Sequence, residues 1–197
     1  MTRIFSVSFL SLWALLFCSS EVSGLSLTAS LVKGRVYYKT AKTNIYQISR
    51  GQIVADYGDS LLTFTDGQCF FYLEDSTEFR LKEESIFAFV SSDTFELRKG
   101  TFGIKLASHP VLLRTPHLFV ELDNAVAVIK VNPVLTRLCI VRGSASVYHI
   151  HDKTRVTVPE NTEIAAAPGR LSKIYPRTDE LRFAWYWVAP DKEPSLQ

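Results

Sequence analysis

Between Lys33 and Gly143 the chain repeats one cadence: short apolar runs, each broken by a glycine or an acidic turn. Gly34, Gly51, Gly58-Asp59, Asp66-Gly67, Gly100 and Gly143 punctuate runs such as Cys69-Phe-Phe-Tyr-Leu73. Runs of this length, rich in aromatic and β-branched residues and bounded by turn residues, read as strands rather than helices. The pattern predicts an all-β domain of many short strands, arranged as a sandwich, a barrel or a β-solenoid.

Period-two alternation fixes the faces of several strands. In Thr77-Glu-Phe-Arg-Leu81, Phe79 and Leu81 share an inward face while Glu78 and Arg80 point out. Phe95 and Leu97 repeat this against Glu96 and Arg98. Later strands are expected as separate pairs over 94–98 and 101–106, 118–122 and 126–131, and 137–141 and 145–151. Gly58, Gly67 and Gly143 are expected at reversals that need a positive φ, with Asp66-Gly67 a hairpin-type pair.

The chain divides into three parts: a leader over 1–24, a β domain over 25–170, and a connector with an aromatic tail over 171–197. Met1-Thr-Arg3, an apolar stretch to Phe17 and a small-residue exit at Gly24 describe a secretory signal peptide. The stretch falls short of the roughly 20 apolar residues that span a bilayer, and no later segment reaches that length. Cys18 offers a second reading, a lipid anchor, although bulky Phe17 stands where a small residue is wanted. The protein is therefore expected outside the cytoplasm, periplasmic or extracellular.

Losing residues 1–24 removes Arg3 and Glu21 and leaves the net charge at +2. Charges of both signs are interspersed, so no electrostatic footprint for nucleic acid exists. Cys69 and Cys139 both sit in apolar runs. A disulfide between them is one reading; two buried thiols acting as small hydrophobes is the favoured one.

The order of the motifs resembles a FecR-type domain. Gly34-x-Val36, Ile48-Ser-Arg-Gly51 and Gly58-Asp59-Ser-Leu-Leu-Thr63 are similar to its opening. Phe71-x-Leu73-x-Asp75-Ser76 and Leu97-Arg-Lys-Gly100 continue the match, as do Leu113-x-Thr115-Pro116, Arg142-Gly143 and Val156-x-Val158-Pro-Glu-Asn161. The resemblance spans about residues 33 to 168 and departs from the family at Asp123-Asn124-Ala125 and at Asp75-Ser76. It implies a free-standing exported β domain that binds something; the anti-sigma segment of signalling relatives is not expected here.

Chemistry is sparse. No nucleophile-elbow, zinc-protease, phosphate-loop or C-x-x-C pattern occurs, so no enzyme activity and no cofactor are expected. The sharpest alternative is His149-Ile-His151, which in a strand would present two imidazoles on one face to a metal. With Gly143 before it, the pair resembles half of a cupin metal motif, the other half being absent; solvent-facing histidines are the expectation. Asp56, Asp59 and Asp66 read as turn residues rather than calcium ligands.

The expected activity is recognition of an envelope protein or polysaccharide through a sheet edge or loops, with main-chain pairing supplying affinity. An oligomer built through sheet edges is a further reading. Candidate contacts are Phe183, Trp185, Tyr186 and Trp187 in the tail, which otherwise would pack on the domain, and Phe70, Phe71 and Tyr72, one face of which must point out.

Overall fold

The computed structural model describes residues 24–42, 44–48 and 51–176. The expected leader, Cys18 and the tail contacts Phe183, Trp185, Tyr186 and Trp187 lie outside the described residues. Sixteen strands and no helix occur among the described residues: β1 (Gly24–Lys33), β2 (Val36–Lys39), β3 (Ile45–Gln47), β4 (Gly51–Asp56), β5 (Ser60–Thr63), β6 (Gln68–Leu73), β7 (Glu78–Leu81) and β8 (Ile86–Phe89). Then come β9 (Thr94–Lys105), β10 (Val111–Arg114), β11 (Leu118–Asn132), β12 (Leu135–His149), β13 (Arg155–Val158), β14 (Thr162–Ala167), β15 (Arg170–Leu171) and β16 (Tyr175–Pro176). The expected all-β class holds. Among these residues no helix is long and apolar enough to cross a membrane.

All strands belong to one continuous sheet, and the pairing shows how it folds over on itself. One layer runs β4-β1-β6-β7, then the second half of β9, the second half of β11, the first half of β12, and β14. The other runs β3-β2-β5-β8, then the first half of β9, β10, the first half of β11, the second half of β12, and β13. Every pairing is antiparallel except β9 with β10. Three long strands, β9, β11 and β12, thus serve both layers.

Each of the three bends where the sequence suggested a break. β9 turns at Gly100 (φ +101°), β11 at Asn124 (φ +43°) and β12 at Gly143 (φ +80°). An extra residue at a bulge shifts the alternation by one while keeping the same face inward. The buried positions show this shift. In β9, Phe95 and Leu97 give way to Phe102 and Ile104. In β11, Leu118, Val120 and Leu122 give way to Ala127, Ile129 and Val131. In β12, Leu138 and Ile140 give way to Ala145 and Val147. The separate strand pairs expected from the sequence are therefore single strands carrying one bulge each, and Gly143 marks a corner rather than a reversal.

The core between the layers is aromatic. Phe71, Phe79 and Phe102 from the first layer meet Phe87, Phe89 and Phe95 from the second. Phe87 and Phe102 stack at 4.7 Å between centroids, and Phe79 meets Phe95 edge-on at 4.9 Å. Such pairs add about 0.5–1.5 kcal/mol beyond the area they bury. Phe79, Leu81, Phe95 and Leu97 all point inward as the alternation predicted.

Polar side chains tie the connections to this core. Buried Asp59 accepts hydrogen bonds from the Ala41 N–H (2.7 Å), the Asp56 N–H (2.9 Å) and the Tyr38 hydroxyl. Burial, reinforced by the Asp59 carboxylate, raises the Tyr38 phenol above its ordinary range. Ser85, fully buried, accepts from the Thr101 N–H at 3.0 Å and donates its own N–H to Thr63 Oγ1 at 2.8 Å.

Gly67 differs from expectation. Its φ is not positive; it ends a turn in which its N–H donates to the Phe64 carbonyl at 2.9 Å. A Cβ there would lie 2.3 Å from the Arg35 carbonyl oxygen, so close approach, not handedness, demands glycine. The turn also makes no hairpin, since it carries the chain from β5 in one layer to β6 in the other. Cys69 and Cys139 are both buried and form no disulfide. They sit on β6 and β12, four strand spacings apart at about 4.8 Å each, far beyond disulfide reach. Burial pushes the Cys69 thiol up to about 12.

The corner at Gly100 yields a graded prediction. A Cβ at Gly100 would meet Ser85 Oγ at 2.1 Å on top of an unfavourable φ, whereas one at Gly169 (φ +71°) meets nothing within 4 Å. Gly169→Ala should cost about 1–2 kcal/mol of stability, the left-handed penalty alone. Gly100→Ala should cost roughly 3 kcal/mol or more, strain and overpacking together. Urea unfolding of the two variants checks this; equal losses would contradict the corner geometry.

Candidate binding face and histidine end

The outer face of the second layer carries the most structured surface. Here β10, β11, β12 and β13 lie side by side, and their register aligns outward side chains into rows. One row reads Arg114, Phe119, Tyr148, Arg155. The next reads Leu112, Glu121, Ser146, Thr157. Because Leu118, Val120 and Val147 occupy the core, the alternation forces Phe119 and Tyr148 outward, where both remain half-buried.

The first row is a cation–aromatic–aromatic–cation strip. The Arg114 guanidinium lies 5.8 Å from the Phe119 centroid, and the Phe119 and Tyr148 rings stack at 6.2 Å and 24°. Arg155 donates to Glu121 Oε2 at 2.7 Å and to Ser146 Oγ at 3.3 Å, which draws its guanidinium from the end of the strip towards the neighbouring row. Cavities of about 400 and 270 Å³ share Leu112, Glu121 and Ser146 and make one groove on this face. Its upper part is lined by Asp93, Pro110, Asp123 and Ser144, so acidic groups stand at one end and the two arginines at the other. Such a surface can stack on planar or ring-shaped groups and pair with carboxylates; it holds no nucleophile and base in contact.

The histidine end lies where the two layers meet. The expected strand through His151 ends at His149. His149 is fully buried and its Nε2–H donates to the Ala167 carbonyl at 3.1 Å, joining the second layer to the first. The chain then turns, leaving His151 exposed with its ring 5.7 Å from that of His149. The same turn brings Asp152 round to His149. Its Oδ1 lies 2.8 Å from His149 Nδ1, close but off the line of a ring hydrogen bond. His149 thus does not face solvent as expected. Among the described residues no three His, Cys, Asp or Glu side chains assemble as metal donors.

His117, in the turn before β11, is buried at this same end. Its Nδ1 meets Thr136 Oγ1 at 2.9 Å, again across the layers. Burial, then the neighbouring His151 and His149, push its imidazole below the ordinary value. Asp152 is lowered to about 2 by the Thr154 N–H that its carboxylate accepts, and next by His149.

The aromatic run on β6 splits as alternation requires: Phe71 enters the core while Phe70 and Tyr72 point out. Arg80 covers Phe70, its guanidinium 4.7 Å from the ring centroid. Tyr72 stays exposed. Edge strands β3 and β4 expose Ile45, Tyr46 and Val54. Arg114, Phe119, Glu121, Tyr148 and Arg155 went unnoticed in the sequence. The alternation around Leu118, Val120 and Val147 already turns Phe119 and Tyr148 outward, but their meeting in one row depends on strand pairing that no local pattern encodes.

No protein-family model matches the chain, and no curated protein matches it. Its fold is similar to that of a candidate anti-sigma factor from Parabacteroides distasonis in two crystal structures, with TM-scores of 0.56 and 0.54 and 14% identity in each. The alignments cover 64% and 63% of this chain and 63% and 62% of the other, so the chain spans less than two thirds of that protein's length. The likeness is one of fold.

The histidine end predicts an acid-sensitive domain. Both groups have depressed values in the folded chain, so the unfolded chain binds protons first and stability falls as pH falls. For His117 the stability is present above its ordinary value of about 6.5 and is lost as pH drops through the folded value. For Asp152 it is present above about 3.9 and is lost as pH drops towards 2. Urea midpoints should decline as pH falls below about 6.5, and His117→Gln should flatten that decline while leaving the lower, Asp152-dependent loss in place. An unaltered slope in the variant would remove His117 from the account.

Proposed function

We propose that this chain is an exported, non-enzymatic binding domain of FecR-like type that recognises an envelope partner through the outer groove of β10 to β13. The strip Arg114, Phe119, Tyr148 and Arg155 carries this reading: two stacked half-exposed aromatics flanked by two cations, set over a groove. Aromatic and arginine side chains are the types that dominate binding energy in protein interfaces. The fold shared with the candidate anti-sigma factor supports the FecR-like assignment, as does the order of motifs from Gly34 to Asn161. The leader-like residues 1–24 support export to the periplasm or beyond.

The FecR-like motifs gain structural roles on this reading. The Gly58-Asp59 step supplies the carboxylate that gathers Ala41, Asp56 and Tyr38. Thr115-Pro116 supplies the turn between β10 and β11, where Thr115 Oγ1 accepts from the Leu118 N–H at 2.9 Å. That turn sets the register of Arg114 against Phe119 and so builds the strip. The exposed edge residues Ile45, Tyr46 and Val54 offer a second contact, by strand addition.

Crosslinking of a tagged chain in the native envelope, followed by mass spectrometry, identifies the partner. Phe119→Ala with Tyr148→Ala should then reduce capture at least about tenfold, or 1.4 kcal/mol. The loss of stability should stay near 1 kcal/mol, because both rings lie outside the core. Arg114→Ala should weaken capture in a salt-dependent way. Undiminished capture by the double variant, with the fold intact, would move recognition to the β3 and β4 edges.

A further inference from the structure

The first layer buries a strip of its outer face. One cross-strand row runs from Arg80 on β7 through Gly103 on β9, Val128 on β11 and Cys139 on β12 to Glu163 on β14. In β11 and β12 the core-facing residues are Ala127, Ile129, Leu138 and Ile140, so Val128 and Cys139 point the other way. That face should meet water, yet Val128 and Cys139 are both 0% exposed, and Val126 and Val141 beside them are buried as well. Every described strand belongs to one of the two layers, and no described strand lies over this strip.

We propose that the strip is the seat of the chain's own C-terminal segment 179–188, which forms a third, local layer over β11 and β12. Three observations select this occupant. The described chain ends on β16, where Pro176 pairs with Thr162 and Thr162 pairs with Ile140. The segment therefore sets out two strand spacings, about 10 Å, from the strip. Its sequence is one-sided in extended form, with Leu181, Phe183, Trp185 and Trp187 on one face and Glu180, Arg182 and Tyr186 on the other. The strip itself is apolar and narrow, with exposed Lys105 and Lys130 at its margins, and so suits a single apolar strand face. The inference goes beyond the binding reading above and does not depend on it: it turns the tail aromatics from partner contacts into a cover for the domain.

The two tail tryptophans report on this directly. With Trp13→Phe, Trp185 and Trp187 are the only tryptophans of the full chain. In the folded chain their emission should be blue-shifted and shielded from acrylamide, and should move to that of solvent-exposed tryptophan in urea. Alkylation mapped by peptide mass should find Cys139 protected in the folded chain. Trp185→Ala with Trp187→Ala should raise its rate at least about tenfold while Cys69, which faces the core, stays protected. Should the double variant unfold, both cysteines will react together, and acrylamide quenching of the otherwise unaltered folded chain then decides. Solvent-exposed tryptophans in that chain would overturn the proposal, as would Cys139 remaining equally protected in a folded double variant. Protection of Cys139 that fades on dilution would overturn it too, since the cover would then come from a second copy.

Discussion

The bulged corners at Gly100, Asn124 and Gly143 hold the architecture together. A sheet of sixteen strands must either expose one face or fold over it. Here it folds over by bending three strands, and each bend needs a residue in a conformation that an ordinary side chain avoids. Gly100 sits against Ser85, and Gly143 sits against the Asn124 carbonyl, where a Cβ would come within 2.6 Å. The two sites are at opposite ends of the first layer, because Gly100 pairs with Val131 while Lys105, five residues on, pairs with Val126 beside Asn124. The phenylalanine core, the histidine end and the outer groove all take their positions from these bends.

The groove shows how such a scaffold makes a surface. Four short strand segments supply one outward residue each to a row, and the register alone decides that arginine, phenylalanine, tyrosine and arginine become neighbours. The residues are far apart in sequence, from Arg114 to Arg155, but sit on sheet backbone rather than on loops, so their spacing is held by ladder hydrogen bonds. Rigid placement of aromatics lowers the ordering cost of binding.

Much of the fold was legible in the sequence because its signals are local. Alternation at Phe79, Leu81, Phe95 and Leu97 gave their faces, and turn residues gave the breaks. What escaped was whether a break reverses a strand or bends it. Gly143 and Asp66-Gly67 look alike in sequence, yet one is a bulge and the other a crossing between layers. That difference is decided by long-range pairing, as is the alignment of Phe119 with Tyr148. His149 was misjudged because its face was not taken from the alternation: it shares the inward face of Ala145 and Val147, and the strand's end at His149 then separates it from His151. Cys69 and Cys139 were read correctly as small hydrophobes, although only the topology shows that one faces the core and the other away from it.

The sharing of β9, β11 and β12 between layers has a kinetic side. Neither layer can complete itself without strands whose other halves belong to its opposite, so neither half is a folding unit in its own right. The contacts that close the sandwich join distant parts of the chain, and the loop entropy must be met before any of them forms. A chain of this topology should therefore fold late, as one cooperative event, with the open edges at β3 and β4 waiting unpaired in the meantime. Until that event is complete, those edges are where another chain could add a strand.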